Sequence, residues 1–369
     1  SRERDLAQSE AARAARAYQL LLDIFGRADP LAQGSAGGRG ATVWDALDTS
    51  AASARATLRD DPGTLADILA SLARLQRAAG RLDAARGLLL ETVALREREA
   101  GPQASTTAVV LAELGSVEAA AGRAEVAAPY LARALAIAGT LPASAAADAI
   151  SVYLDAGHTA VDAGDAGAAS AHFRAAERLL RTSPARDPNA LVEVLLGQAN
   201  ASTRLGRAQA ALAAAGEAVR MAEALYGPQH ARLVGPLSAL AGAQRALGRN
   251  ADAASGLRLA LAIAQRDYGA DEENVLSLRN NLALVLGAAG DRAGEQAELR
   301  LLLQAREARF GDRHPIVADG QQNLGVSLAA SGDHAGALAA LGTARRIYDA
   351  TLPAASAKRA FPRLKQAQV

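Results

Sequence analysis

Glycine recurs at Gly80, Gly122, Gly164, Gly206, Gly248, Gly290 and Gly332, and every interval is 42 residues. Seven hits without a slip commit the chain to a repeat, in which each unit adds its own share of core and length counts units rather than globular domains. Neighbouring columns keep the register. Seven residues before each glycine stand Ala73, Gly115, Gly157, Ala199, Ala241, Ala283 and Gly325, all small. Five after it stand Ala85, Ala127, Ala169, Ala211, Ala253, Glu295 and Ala337. Nine after it the residue is larger: Leu89, Leu131, Phe173, Ala215, Leu257, Leu299 and Leu341. Twelve after it, alanine holds all places except those of Thr92 and Leu302.

These columns describe a helical hairpin. A glycine closing one helix permits the left-handed cap and short turn that reverse the chain. Small residues belong where two helices cross, and the leucine column is expected to fill the space between adjacent hairpins. One hairpin is too thin to bury its own apolar face, so stability must come from stacking. Half the residues are hydrophobic but only 3% are aromatic, so the apolar share is Ala, Leu and Val, which favours helix and disfavours an aromatic-rich sandwich.

Forty basic against thirty-nine acidic residues give a net charge of +1, so no global field draws the chain to nucleic acid or to lipid. Cysteine is absent, which removes disulfides, thiolate zinc sites and cysteine nucleophiles. No stretch approaches about 18 apolar residues, and the polar start is unlike a signal peptide. The chain opens on Ser1 and its only methionine is Met221, so it is expected to be a segment of a longer protein.

The small-residue columns resemble the tetratricopeptide repeat, whose usual unit is about 34 residues. The eight extra residues match its kinesin-light-chain-like version, which carries Tyr-Gly-x-x-His-Pro between units. Here that place reads Tyr226-Gly227-Pro228-Gln229-His230, Tyr268-Gly269 and Phe310-Gly311-Asp312-Arg313-His314-Pro315. HEAT and armadillo units of roughly 40–47 residues compete on length, and the internal spacing argues against them. The resemblance implies an all-α, right-handed superhelical solenoid. We expect an N-terminal helix and degenerate opening hairpin over residues 1–60, seven repeats over 61–353 and a capping helix and tail over 354–369. The opening hairpin pairs a helix from about Ala7 to Phe25 with one from Thr42 to Leu58. Leu141-Pro142, and Ser183-Pro184 with Asp187-Pro188, replace the Tyr-Gly element and predict local irregularity.

A further resemblance rests on AYQLLLDIFGRADP from Ala17, ATVWDALDTSAASA from Ala41 and LRDDPGTLADILASLARLQRAAGRLDAA from Leu58. Together these are similar to the C-terminal half of bacterial membrane-anchored serine/threonine protein kinases, in which 42-residue repeats follow the membrane helix. The segment has no His-Arg-Asp loop, no Asp-Phe-Gly and no glycine-rich nucleotide loop, so it cannot itself transfer phosphate. The resemblance implies a periplasmic sensor tethered to the inner membrane. Ligand capture would then regulate the attached kinase by changing dimerisation, as a homodimer, or orientation. A cytoplasmic tetratricopeptide scaffold is the alternative.

No catalytic constellation competes with a binding role. His158, His172, His230, His314 and His334 form no metal-binding spacing, and His230 and His314 are one connector position 84 residues apart. The loop Gly34 to Gly40 follows no predicted strand and lacks a Gly-Lys-Ser/Thr ending, so it reads as a connector. Asp60-Asp61 and Glu272-Glu273 sit at predicted helix starts, where carboxylates meet the helix dipole. No cofactor or metal is expected. The resemblance instead implies a ligand groove lined by the first helix of each hairpin, in which Asn281 and Asn323 share one inward column and grip a ligand backbone through their amides. Neighbouring inward positions supply Arg74, Arg77, His158, Asn200, Arg204, Arg245, Asn280 and Gln322, which together would suit an extended peptide or an acidic tail. The basic residues Lys358, Arg359, Arg363 and Lys365 read as a solvated cap edge. Neither nucleic acid nor direct membrane contact by this segment is expected.

Overall fold

The structure, a computed structural model, describes residues 43–183, 187–269, 272–353 and 356–367. The expected helix from Ala7 to Phe25 and the loop from Gly34 to Gly40 lie outside the described residues. Within them stand sixteen α-helices and no strand. After α1 (Val43–Thr57) come the pairs α2 (Pro62–Ala78) and α3 (Leu82–Glu99), α4 (Ser105–Ala120) and α5 (Ala124–Ala138), α6 (Ala146–Asp162) and α7 (Ala166–Thr182). The pairing continues through α8 (Pro188–Arg204) and α9 (Ala208–Tyr226), α10 (Val234–Ala246) and α11 (Asn250–Tyr268), α12 (Glu273–Ala288) and α13 (Arg292–Phe310), and α14 (Pro315–Ala330) and α15 (His334–Thr351). A last helix, α16 (Ala357–Gln366), packs on α15.

The register glycines explain the pairing. All seven have positive φ, between 70° and 84°, at the residue after the helix cap. In the first hairpin the Gly80 amide donates to the Arg77 carbonyl and the Arg81 amide to the Gln76 carbonyl, both at 2.9 Å. That pair of hydrogen bonds satisfies carbonyls which the helix end leaves open, and the same pattern recurs at all seven turns. Where an aspartate follows the glycine, it also caps the next helix: Asp165, Asp291 and Asp333 accept from the amides of Ala168, Gly294 and Gly336.

A second glycine register joins one hairpin to the next. Gly227, Gly269 and Gly311 cap α9, α11 and α13 with φ near +90° and ψ near 160°, a region that only glycine occupies without strain. Gly101, with φ 97°, falls in the same register, and Gly101-Pro102-Gln103 repeats Gly227-Pro228-Gln229. The sequence reading located this element only from Tyr226 onward.

Packing adds to one expectation. The leucine column faces the small residue of its own hairpin as well as the next one: Leu89, Leu257 and Leu299 share core clusters with residues of the following hairpin. A Cβ at Gly115 would lie 2.6 Å from Leu131, one at Gly157 would lie 2.7 Å from Phe173, and one at Gly325 would lie 2.8 Å from Leu341. Glycine therefore stands where its partner's bulk leaves no room for a methyl group. The alanines five and twelve after the turn are buried almost completely, which lets the helices approach closely.

The chain forms two compact units, within residues 1–186 and 187–369, and the division falls at the connector before Asp187-Pro188. In the first, α3 packs on α4 and α4 on α6, around buried Leu69, Leu89, Leu111 and Leu114. In the second, α9 packs on α10, α11 on α12 and α13 on α14, around Leu233, Leu257, Leu276, Leu282 and Tyr348.

Candidate ligand-binding site

In the second unit the first helices of two successive hairpins, α10 and α12, open a cavity of about 360 Å³. Its aliphatic lining is Ala231, Val234 and Leu278, and its polar lining is Ser238, Tyr268, Asn274, Ser277 and Asn281. Gly235, also in the lining, contributes no side chain. Gly235 and Ser277 stand thirteen residues before their turn glycines, a column that elsewhere carries Asp67, Val109, Ser151, Glu193 and Asp319. Small residues there open the space, and tyrosine is the sole ionisable side chain on its walls. Hydroxyls and amides above an aliphatic patch offer paired donors and acceptors to an uncharged polar ligand such as a peptide backbone.

Of the ten residues expected to grip a ligand, the cavity takes Asn281, with Asn280 half-buried beside it on α12. Gln322 and Asn323 hold the matching places on α14, half-buried and outside the cavity. The side-chain amides of Asn280, Asn281, Gln322 and Asn323 are hydrogen-bonded to no other described residue. Asn200 and Arg204 on α8 and Arg245 on α10 are exposed. The other three lie in the first unit. There, His158 packs edge-on against Phe173 with ring centroids 5.3 Å apart, and Arg77 is half-buried near the end of α2. Arg74 meets Glu113 at 2.7 Å and Ser71 at 3.1 Å, so an acidic side chain of the protein itself holds this guanidinium. Ser238, Asn274, Ser277 and Tyr268 were not anticipated. Of these only Ser277 shares the column of Gly235, and the loss there of the carboxylate that Asp67, Glu193 and Asp319 carry is the sequence signal nearest the cavity.

A second cavity of about 450 Å³ adjoins the first at Ala231 and opens on the connector from Tyr226 to His230, with Arg266 and Asp267. Its polar groups bind one another. The His230 ring stacks on Tyr226 at 5.0 Å and its Nδ1 accepts from the Arg232 amide at 3.1 Å. Arg232 Nη1 donates to the Tyr226 hydroxyl at 2.7 Å, and Arg266 donates to the Gln229 carbonyl at 2.6 Å. The hydrogen bond from Arg266 holds the Asp267 carboxyl below its ordinary range. Phe310 and His314 repeat the stack at 5.0 Å, so the element is a helix-starting connector. Among the described residues no group of three His, Asp or Glu could hold a metal ion, and no helix is long and apolar enough to cross a membrane.

Models of the tetratricopeptide repeat family match residues 64–140, 199–232 and 275–316, and the hairpins within those spans are repeats of that kind. No curated protein matches the chain. Among solved structures, the apo form of RapI is 13% identical over 80% of this chain and 79% of its own, with a TM-score of 0.61. A signal-transduction ATPase with a tetratricopeptide repeat sensor from Pyrococcus horikoshii is 16% identical over 83% of this chain and 47% of its own, with a TM-score of 0.59. A Rap protein complexed with competence and sporulation factor is 14% identical, covers 77% of each chain and has a TM-score of 0.54. These likenesses show a tetratricopeptide solenoid.

Proposed function

We propose that this chain is a protein- or peptide-binding array whose ligand seats between α10 and α12, and that it is the sensor portion of a membrane-anchored serine/threonine kinase outside the inner membrane. One observation carries the binding role: a cavity walled by Ser238, Asn274, Ser277 and Asn281, with the Asn281 amide committed to no other described residue. Tetratricopeptide repeats are a protein-interaction fold without catalytic machinery of their own. A repeat sensor joined to an ATPase in the Pyrococcus protein, and a factor bound by a Rap protein, support the same use here. The kinase attachment and the compartment rest on the N-terminal resemblance alone.

Selection of a phage-displayed random peptide library on the chain tests the binding role. N281A should weaken the selected peptides by about tenfold, the worth of one lost amide pair, with the helical signal unchanged. Equal binding by N281A would remove the site. The coding sequence upstream of Ser1 tests the attachment. A membrane span preceded by a kinase domain supports it, and an initiator methionine within a few residues would replace it with the scaffold reading.

A further inference from the structure

The capping helix is attached the wrong way round for a simple cap. Covering the last hairpin should turn the apolar side of α16 inward, but its polar side faces the array instead. Lys358 Nζ donates to Asp319 on α14 at 2.9 Å, Arg359 and Arg363 donate to Asp349 on α15 at 2.8 and 3.0 Å, and Arg345 donates to the Gln366 side chain at 3.2 Å. Pro362 is the residue of α16 buried against the array. Ala357, Ala360, Phe361 and Leu364, at the spacing that makes one helical stripe, face solvent, with Phe361 40% and Leu364 65% exposed. Cations border the stripe: Lys358 and Arg363 are each more than half exposed, and Lys365 Nζ sits 5.7 Å from the centre of the Phe361 ring.

Charge and area select the occupant. Lys358, Arg359 and Arg363 pair with the two carboxylates Asp319 and Asp349, and Arg345, Arg346 and Lys365 add three further cations on α15 and α16. A second copy laid stripe to stripe would set Arg363 and Lys365 against themselves, which like charge disfavours. A helix of ten residues is about 15 Å long and about 10 Å wide, so its outer face offers about 150 Å², far below the roughly 800 Å² per partner of a stable protein interface. A lipid surface needs neither a matching relief nor that area. Two large apolar side chains enter the boundary below the headgroups, and each nearby cation adds attraction to anionic lipid. We propose that the outer stripe of α16 docks on an anionic phospholipid bilayer, with Phe361 and Leu364 inserted and Lys365 over the phosphates, while Lys358 and Arg363 keep their pairs with Asp319 and Asp349. The direct membrane contact that the sequence reading did not expect thus has a place on the molecule.

Co-sedimentation of the full chain with vesicles decides it. Phosphatidylcholine vesicles carrying about three-tenths phosphatidylglycerol should pellet the protein, while phosphatidylcholine alone should not, and added salt should release it. F361S/L364S, which changes exposed positions only, should lower partitioning by about tenfold or more with helicity unchanged, and K365E should lower it too. Failure to pellet, equal pelleting by neutral vesicles, or indifference to F361S/L364S would each overturn the proposal. So would a solution dimer of the parent chain that F361S/L364S dissociates, because a second copy would then cover the stripe.

Discussion

Glu118 shows how much one residue must balance in a thin solenoid. Its side chain is fully buried on α4, where Arg86 from α3 donates to it at 2.6 Å and Arg123, the residue after the Gly122 turn, donates to its other oxygen. Burial alone would push the carboxyl up. The hydrogen bonds and charges of Arg123 and Arg86 outweigh that and hold it below its ordinary 4.5. A carboxyl that is more acidic in the folded chain gives stability that is present above the unfolded value and lost as pH falls through the folded one. E118Q keeps the shape, removes the charge and leaves Arg86 and Arg123 with a weaker acceptor. It should cost about 1–3 kcal/mol at pH 7, and the difference in melting temperature from the parent chain should close as pH falls below about 4. A gap that stays constant down to pH 3 would show that the pair acts by packing rather than by charge.

Elements start where a connector can cap them, and the same column shows this twice, with one exception. His314 Nδ1 accepts from the Ile316 amide at 3.2 Å and starts α14, and His230 starts the turn before α10 in the same way. Glu272, midway between them, makes no side-chain cap bond. H314A should therefore cost about 1 kcal/mol, read as a lower melting temperature, and H314D should recover most of it by supplying a new acceptor at the positive end of the helix. If H314A melts with the parent chain, the cap bond contributes nothing. At this scale the sequence is highly legible, because Gly80 through Gly332 each perform one task that depends only on neighbours along the chain. The leucine column was only partly read for the complementary reason: spacing puts Leu131 on one face of α5 but does not say that Gly115 of the same hairpin is among what it meets. The site is half legible. Asn281 follows from its register, whereas Ser277 and Asn274 became walls only because Gly235 on another helix leaves the space open. The orientation of α16 was hidden too, since its alternation of apolar and basic residues serves either face until Asp319 and Asp349 are placed.

Across the whole molecule, a stack of hairpins distributes stability by adjacency, each unit drawing on its neighbours and little on distant ones. Gly157 offers a way to test that. The ring of Phe173 lies 2.7 Å from where a Cβ would stand, so G157A forces the α6 and α7 pair apart and should cost about 1–3 kcal/mol. α6 packs on α4 and α5. Amide hydrogen exchange in G157A should therefore quicken in α4 to α7, while α12 to α15, several hairpins away, keep the protection of the parent chain. G325A, which sets a Cβ 2.8 Å from Leu341, should give the mirror image, with α14 and α15 quickened and α4 to α7 unchanged. Equal acceleration throughout both variants would mean that the array opens as one cooperative body. In that case the 42-residue register would describe how the chain is built but not how it holds together. Local acceleration would instead make each hairpin a thermodynamic unit, in which ordering α10 and α12 around a ligand stiffens their neighbours first.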